Sequence, residues 1–227
     1  MNKFFKKNKF FNWIYKLQKI YKYSFPNKHF AQFGEDILIG TIFRDIKKGF
    51  YIDIGAYHPF KGSLTYNLYK KGWKGLNIDL SKASIELFQI ARPLDININC
   101  AIGPENKETF YYENSPIHQQ NSLIQQTNNQ KKIKINSYTL ETVLNKNGFL
   151  KVDYLNIDTE GNEIDIIKSI DFDKINPILI TLEDNSFIAD SKEKLEKIKF
   201  MKTNNYELIN IIGVTLFFIR KDYLKLL

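Results

Sequence analysis

The chain has 227 residues, 43% of them hydrophobic, with a mean hydropathy of −0.35. That length suits one domain with a real core, and no apolar run is long enough to cross a bilayer. A single cysteine, Cys100, excludes an intrachain disulfide and a thiolate metal cluster. The formal charge of +8 is concentrated at one end: of 33 basic residues, eight lysines lie within residues 1–30, where there is no acid. The remaining 25 basic residues face 25 acids, so the body is neutral and lacks the basic face that nucleic acid requires.

Residues 1–30 read as a basic, aromatic, helical arm. Phe10, Ile14, Leu17 and Tyr21 recur at helical spacing, with Trp13 and Ile20 beside them and Pro26 marking the end. Lys9 and Lys16 interrupt the apolar run, which argues against a signal peptide. Three fates stay open: packing on the domain or on a second subunit as a homodimer, peripheral contact of residues 1–24 with an anionic membrane from a cytoplasmic location, or disorder.

From residue 31 onward, strand-like and helix-like runs alternate. "FYIDIG" (50–55) is the first strand, and "LTYNLYKKG" a helix stopped by Gly72. "KGLNID" (74–79) is the second strand, and "SKASIELFQIA" a helix capped by Ser81. "DININCAIG" (95–103) reads as one third strand, with Cys100 packed inside it. "ETFYYE" and "KKIKINSYT" are extra strands flanking a polar loop or lid, residues 116–132. "TLETVLNKNG" is a helix closed by Gly148. "VDYLNID" (152–158) and "PILITLED" (177–184) are strands, each followed by a helix. "YELINIIGVTLFFIRK" makes two strands about a turn at Gly213.

This alternation implies an α/β, doubly wound, mostly parallel sheet, with an antiparallel C-terminal hairpin at one edge. Ligands in such sheets bind beyond the carboxyl ends of the strands. The strand ends to inspect are therefore Asp53 to His58, Asp79, Asn99 to Ile102, Asp158 to Glu160, and Glu183 to Asn185. After Gly55 the next glycine is Gly62, so the dinucleotide fingerprint is missing, as is a phosphate-binding lysine loop. Asp79, 24 positions after Gly55, is placed to accept hydrogen bonds from a ribose. Asn99 could read an adenine edge. An acid-lined, adenosine-sized site without a phosphate cradle suits a cationic nucleoside such as S-adenosylmethionine better than NAD or ATP.

The chain resembles the FkbM family of S-adenosylmethionine-dependent methyltransferases. The resemblance rests on "QFGEDILI" (32–39), "GFYIDIGAYHP" (49–59), "YKKGWKGLNID" (69–79), "RPLDININCAIG" (92–103), "INSYTLETVL" (135–144) and "YLNIDTEGNEIDIIKSID" (154–171). It implies a class I, Rossmann-like methyltransferase domain over residues 31–227 and methyl transfer, commonly to a hydroxyl of a sugar or natural product. It also implies cofactor contacts at Asp53, Gly55, Ala56, Asp79, Asn99, Ala101 and Ile102, with Gln32, Phe33, Gly34 and Glu35 in a loop beside the cofactor. Where family members often read Ser-Asn-Thr, this chain has Ser63-Leu64-Thr65.

An alcohol is a poor nucleophile, so a base or a metal should help remove its proton. Asp158 is the leading catalytic candidate, with His58 and Glu160 as partners. His118, Asn121 and Ser122, with Gln119, Gln120 and Glu183, suit the grip on a sugar acceptor. His58, Asp158, Glu160 and Glu183 are also ligand types for Mg²⁺ or Mn²⁺, although their spacing is not diagnostic and no metal is favoured. The expected reaction is O-methylation of a nucleotide-linked or surface-polysaccharide sugar. The competing readings are an NAD-dependent sugar oxidoreductase or epimerase and a non-enzymatic, membrane-associated cofactor-binding scaffold.

Overall fold

The computed structural model describes residues 9–22, 29–149, 151–184 and 191–225. Its centre is a seven-stranded sheet built from β1 (Phe50–Ile54), β2 (Lys74–Asp79), β3 (Ile96–Asn99), β7 (Tyr154–Ile157), β8 (Leu179–Glu183), β9 (Tyr206–Ile212) and β10 (Thr215–Arg220). The strand order is β3-β2-β1-β7-β8-β10-β9. The first five strands run parallel, and β10 inserts antiparallel between β8 and β9. The expected hairpin is therefore present, and this is the class I Rossmann-like arrangement.

The parallel strands are apolar on both faces because both faces are covered. Ile52 and Ile54 of β1 join Leu76, Ile78, Leu155, Ile157, Ile180 and Leu182 in one core cluster. Tyr51, with Tyr154, Leu179, Phe217 and Ile219, belongs to the cluster on the opposite face. That period of two is the strand period, and burying each large side chain contributes about 1.5–3 kcal/mol. Chain order reverses direction across the sheet between β1 and β7, so the crevice beyond their carboxyl ends is the topological switch point.

Eight helices are described: α1 (Lys9–Tyr21), α2 (Glu35–Ile42), α3 (Tyr66–Lys70), α4 (Lys82–Ala91), α5 (Leu140–Asn147), α6 (Glu163–Lys168), α7 (Lys192–Thr203) and α8 (Lys221–Leu224). The Ser81 hydroxyl accepts the Ser84 amide and caps α4, as its position before the apolar run suggested. Thr139 caps α5 in the same way, and Gly148 ends it in a left-handed conformation.

Two expectations change. "DININCAIG" does not form one strand. β3 ends at Asn99, buried Cys100 turns inward, and Ala101–Ile102 form β4 of a second sheet ordered β4-β6-β5, with β5 (Lys107–Glu113) and β6 (Lys131–Tyr138). The segment after Gln32 is only briefly a loop: left-handed Gly34 leads into α2, whose Ile39 and Ile42 enter the core.

Helix α1 is docked on the domain. Ile20 is fully buried with Phe30, Phe60 and Leu87, and Lys16 pairs with Glu86 of α4. Pro26 and residues 1–8 of the arm lie outside the described residues, as does Asn185 at the end of the fifth parallel strand.

Candidate functional site

The loops after β1 and β7 meet across the switch point. Gly55 has φ of +81°, and a Cβ there would lie 1.6 Å from the carbonyl oxygen of Asp158. Only glycine permits this close backbone approach. Asp53, at the end of β1, is buried and held on both oxygens: Thr65 Oγ1 donates to Oδ2 at 2.7 Å and Asn156 Nδ2 to Oδ1 at 2.9 Å. Behind Thr65, the fully buried Arg92 donates to Thr65 Oγ1 at 2.8 Å and to Ser63 Oγ at 2.7 Å. The Ser63 and Thr65 hydroxyls thus tie the start of α3 to Asp53, with Leu64 contributing to the cavity wall between them.

A cavity of about 1090 Å³ opens over this junction. Its walls include Gln32, Phe33, Asp53, Gly55, Ala56 and Tyr57 on one side and Asp158, Glu160, Glu163 and Glu183 on the other. His118, Gln119, Gln120 and Gln126 of the polar loop also reach it. A narrow slot adjoins it beyond β2, lined by Ile54, Ile78, Asp79, Leu80, Cys100, Ile102, Asn121 and Leu123. The slot encloses about 30 Å³, room for about one water.

Asp158, Glu160 and Glu183 bring carboxylate oxygens within 4.8 Å of one another. Burial, then the neighbouring Glu183 charge, pushes the Asp158 carboxyl well above the usual carboxylate range, and the two groups are hydrogen-bonded. Like charges so close disfavour ionisation of both carboxyls together. The loop that carries them is folded by Glu163, which accepts from the Thr159 amide and hydroxyl, both at 2.9 Å, and from the Gly161 amide at 3.1 Å. Glu160 is held at φ of +58°, rare for a side chain of its size. Lys197 of α7 is buried at the far wall, donating to the Glu183 carbonyl at 2.8 Å and pairing with Glu193 at 2.9 Å. Its charge offsets part of this acidity.

Several sequence-derived assignments move. His58 does not face the cavity. Its ring is buried, Nδ1 accepts the amides of Phe60 and Lys61 at 3.1 and 3.0 Å, and Nε2 donates to the Lys19 carbonyl at 3.0 Å. Burial, above all, lowers its pKa to about 4. It is a neutral brace between the β1 loop and α1, neither a base nor a metal ligand. Asn99 is exposed and gives its amide to the carbonyls of Asp79 and Leu80, so it supports the β2 end and reads no ligand. Ala101 is packed against Tyr111 and Ile135. Ser122 is fully buried, and its hydroxyl donates to the Glu160 carbonyl at 3.0 Å; it holds the acidic loop and does not grip an acceptor. Glu35 is buried and accepts the Phe33 amide at 2.7 Å, so Glu35 and the left-handed Gly34 shape the loop that presents Gln32 and Phe33.

Asp53, Gly55, Ala56, Asp158, Glu160, Glu183, Gln32, Phe33 and His118 do converge on the large cavity, and Asp79, Ile102 and Asn121 on the slot. Asp79 accepts the amides of Tyr57 and Ser81 at 2.8 and 2.7 Å, and burial raises it to about 6. Cys100 is buried with its thiol pushed up to about 12, so it packs as expected. Sequence reading missed Arg92, Asn156 and Lys197. A polar group within a strand or helix gives no local sign of its partner, so only tertiary contacts make these three interpretable.

The residues present fit S-adenosylmethionine. Glycine allows backbone approach at the β1 turn, Asp79 stands at the end of β2 for a ribose, and Ile78, Leu80, Ile102 and Leu123 offer apolar walls for a base. The acid-rich lining of the large cavity suits a cation and disfavours a pyrophosphate.

A solved TehB-like SAM-dependent methyltransferase from Corynebacterium glutamicum is similar to this chain at 12% identity with a TM-score of 0.44, covering 92% of this chain and 97% of that one. No curated protein matches. A sequence profile of the methyltransferase FkbM domain matches residues 53–208. That match spans most of the chain and every strand of the central sheet except β10 and parts of β1 and β9, and the chain belongs to the FkbM methyltransferase family.

Proposed function

We propose that this S-adenosylmethionine-dependent methyltransferase is an O-methyltransferase whose acceptor is a hydroxyl of a sugar, either nucleotide-linked or part of a surface polysaccharide. The observation that carries this reading is the hydrogen-bonded Asp158–Glu183 pair on the wall of a large cavity rich in amide side chains. Amides and carboxylates pair with the alternating donors and acceptors of a polyol. When bound, the cofactor supplies an electrophilic methyl group on a sulfonium.

The chain's own residues do the rest. Asp53, Gly55 and Asp79 would hold the cofactor. Gln119, Gln120 and Gln126 orient the acceptor, and such alignment can supply roughly 7–11 kcal/mol of the barrier. Asp158 takes the hydroxyl proton, and a positioned base typically contributes about 10²- to 10⁴-fold. Its raised pKa suits that task, because a base nearer neutrality holds the proton it receives. Glu183 positions Asp158 through the hydrogen bond between them.

The test is a product screen with methyl-labelled cofactor against sugar nucleotides and surface glycans. Label in a sugar hydroxyl that appears with wild type and not with Asp158→Asn supports the reading. Label only in an amine, a carboxylate or nucleic acid overturns it.

A further inference from the structure

Helix α1 has two sides with different fates. One side is spent on the domain: Ile20 is fully buried against Phe30, Phe60 and Leu87, Lys16 pairs with Glu86, and the Lys19 carbonyl accepts from His58. These contacts fix the helix in one orientation. They leave Phe10, Trp13, Ile14 and Tyr21 facing outward, 61, 50, 41 and 55% exposed. Phe10, Ile14, Leu17 and Tyr21 follow one another at i, i+4, i+7 and i+11, so the exposed side chains form a stripe along a helix about 20 Å long.

The arm's own sequence carries charge of one sign. All eight charged residues of the first 30 are lysines, whereas the rest of the chain is neutral. Lys9 is exposed beside the stripe. Aromatic and aliphatic side chains flanked by lysines match the acyl boundary and the anionic headgroups of a bilayer. A nucleic acid would be met by charge and not by an aliphatic stripe. Among the described residues no helix is long and apolar enough to cross a membrane, so the contact this face can make is lateral.

We propose that the outward face of α1 lies on the surface of an anionic lipid bilayer and holds the enzyme there. Because α1 is braced to the β1 loop by His58 and shares a cluster with Ile117 at the cavity wall, the bound helix fixes the catalytic domain relative to the bilayer.

The full chain is incubated with vesicles of phosphatidylcholine and phosphatidylglycerol, or of phosphatidylcholine alone, and sedimented at low and high salt. The wild type should sediment with the anionic vesicles at low salt and be released by high salt. Trp13→Glu with Ile14→Glu should reduce partition by about tenfold or more, and Lys9→Glu by about fivefold or more. Cofactor binding by calorimetry and the thermal midpoint should be unchanged, because these side chains are not part of the buried cluster that docks the helix. No partition into anionic vesicles at low salt overturns the proposal. So does partition insensitive to Trp13→Glu with Ile14→Glu, which would mean bulk electrostatics alone. A dimer in sedimentation velocity that this double substitution dissolves, with no vesicle binding, would assign the face to a second copy instead.

Discussion

The α-carbon of Gly55 stands so close to the carbonyl oxygen of Asp158 that a Cβ on it would lie 1.6 Å away. The cofactor turn after β1 and the acidic turn after β7 are thus in backbone contact, and neither can move without the other. Gly55→Ala must therefore displace the Asp158 turn, and it also places alanine at φ of +81°. A left-handed alanine alone costs about 1–2 kcal/mol, and the overlap adds to it. Urea unfolding should show a loss of at least about 2 kcal/mol, and calorimetry no measurable cofactor binding. Wild-type affinity in Gly55→Ala would mean that the contact is not maintained in solution.

The Asp158–Glu183 pair predicts the pH dependence. Asp158 acts deprotonated, and burial with the Glu183 charge raises its pKa, so methyl transfer should rise with pH on an acid limb above the usual carboxylate range. Glu183→Gln removes the neighbouring charge, lowers the Asp158 pKa and should shift that limb to lower pH. Asp158→Asn should cut turnover by about 10²- to 10⁴-fold while leaving cofactor binding intact. Excess chelator should leave the rate unchanged, because the proposed proton transfer to Asp158 needs no metal. An unmoved limb in Glu183→Gln, or a rate abolished by chelator, would remove the pair from this role.

His58 should matter for stability and little for the chemical step. Asparagine can keep the acceptor that Nδ1 offers to the Phe60 and Lys61 amides but loses the bond to Lys19. His58→Asn should lose about 1–3 kcal/mol of stability and change turnover by less than about fivefold, against about 10²-fold or more for loss of a base. The unfolded imidazole takes up a proton near pH 6.5, and the folded one only at about 4. The unfolded state therefore binds more protons in that window. Wild-type stability should fall relative to His58→Asn as pH drops from 6.5 toward 4, and a flat difference would show that the ring is not buried neutral.

The slot beside Asp79 is too small for an adenine ring as it stands. Its outer wall is carried by His118, Gln119, Asn121 and Leu123, on the segment between β5 and β6. Binding of the cofactor must shift this segment. Hydrogen exchange of residues 117–124 should change on adding S-adenosylhomocysteine, while β1 and β7 stay protected. Identical exchange with and without ligand would place the adenosine elsewhere.

Much of the architecture was legible in the residue pattern. Apolar runs that end in Asp53, Asp79 and Asp158 are strands buried on both faces, and a run such as "PILITLED" can be little else in a chain of this alternation. Ser81 and Gly148 marked helix ends through local hydrogen bonding, which needs no tertiary partner. The same locality explains why the acids at the strand ends were found together: the parallel sheet delivers every carboxyl end to one crevice.

What the sequence by itself determined was therefore the doubly wound sheet, its C-terminal hairpin, the acid-rich switch point and the charge asymmetry of the arm. Only the tertiary structure decided which polar side chains face the cavity and which brace it. His58, Asn99 and Ser122 have the right chemistry for a site, yet each is consumed by backbone groups 3.0 Å or less away. Arg92, Glu163 and Lys197 carry no local motif, yet they hold the site in place. The physical reason is that a hydrogen-bonding group has the same composition signal whether its partner is a ligand or its own fold. Its partner is set by long-range packing, which brings residues more than a hundred positions apart, such as Asp53 and Asn156, to within 2.9 Å.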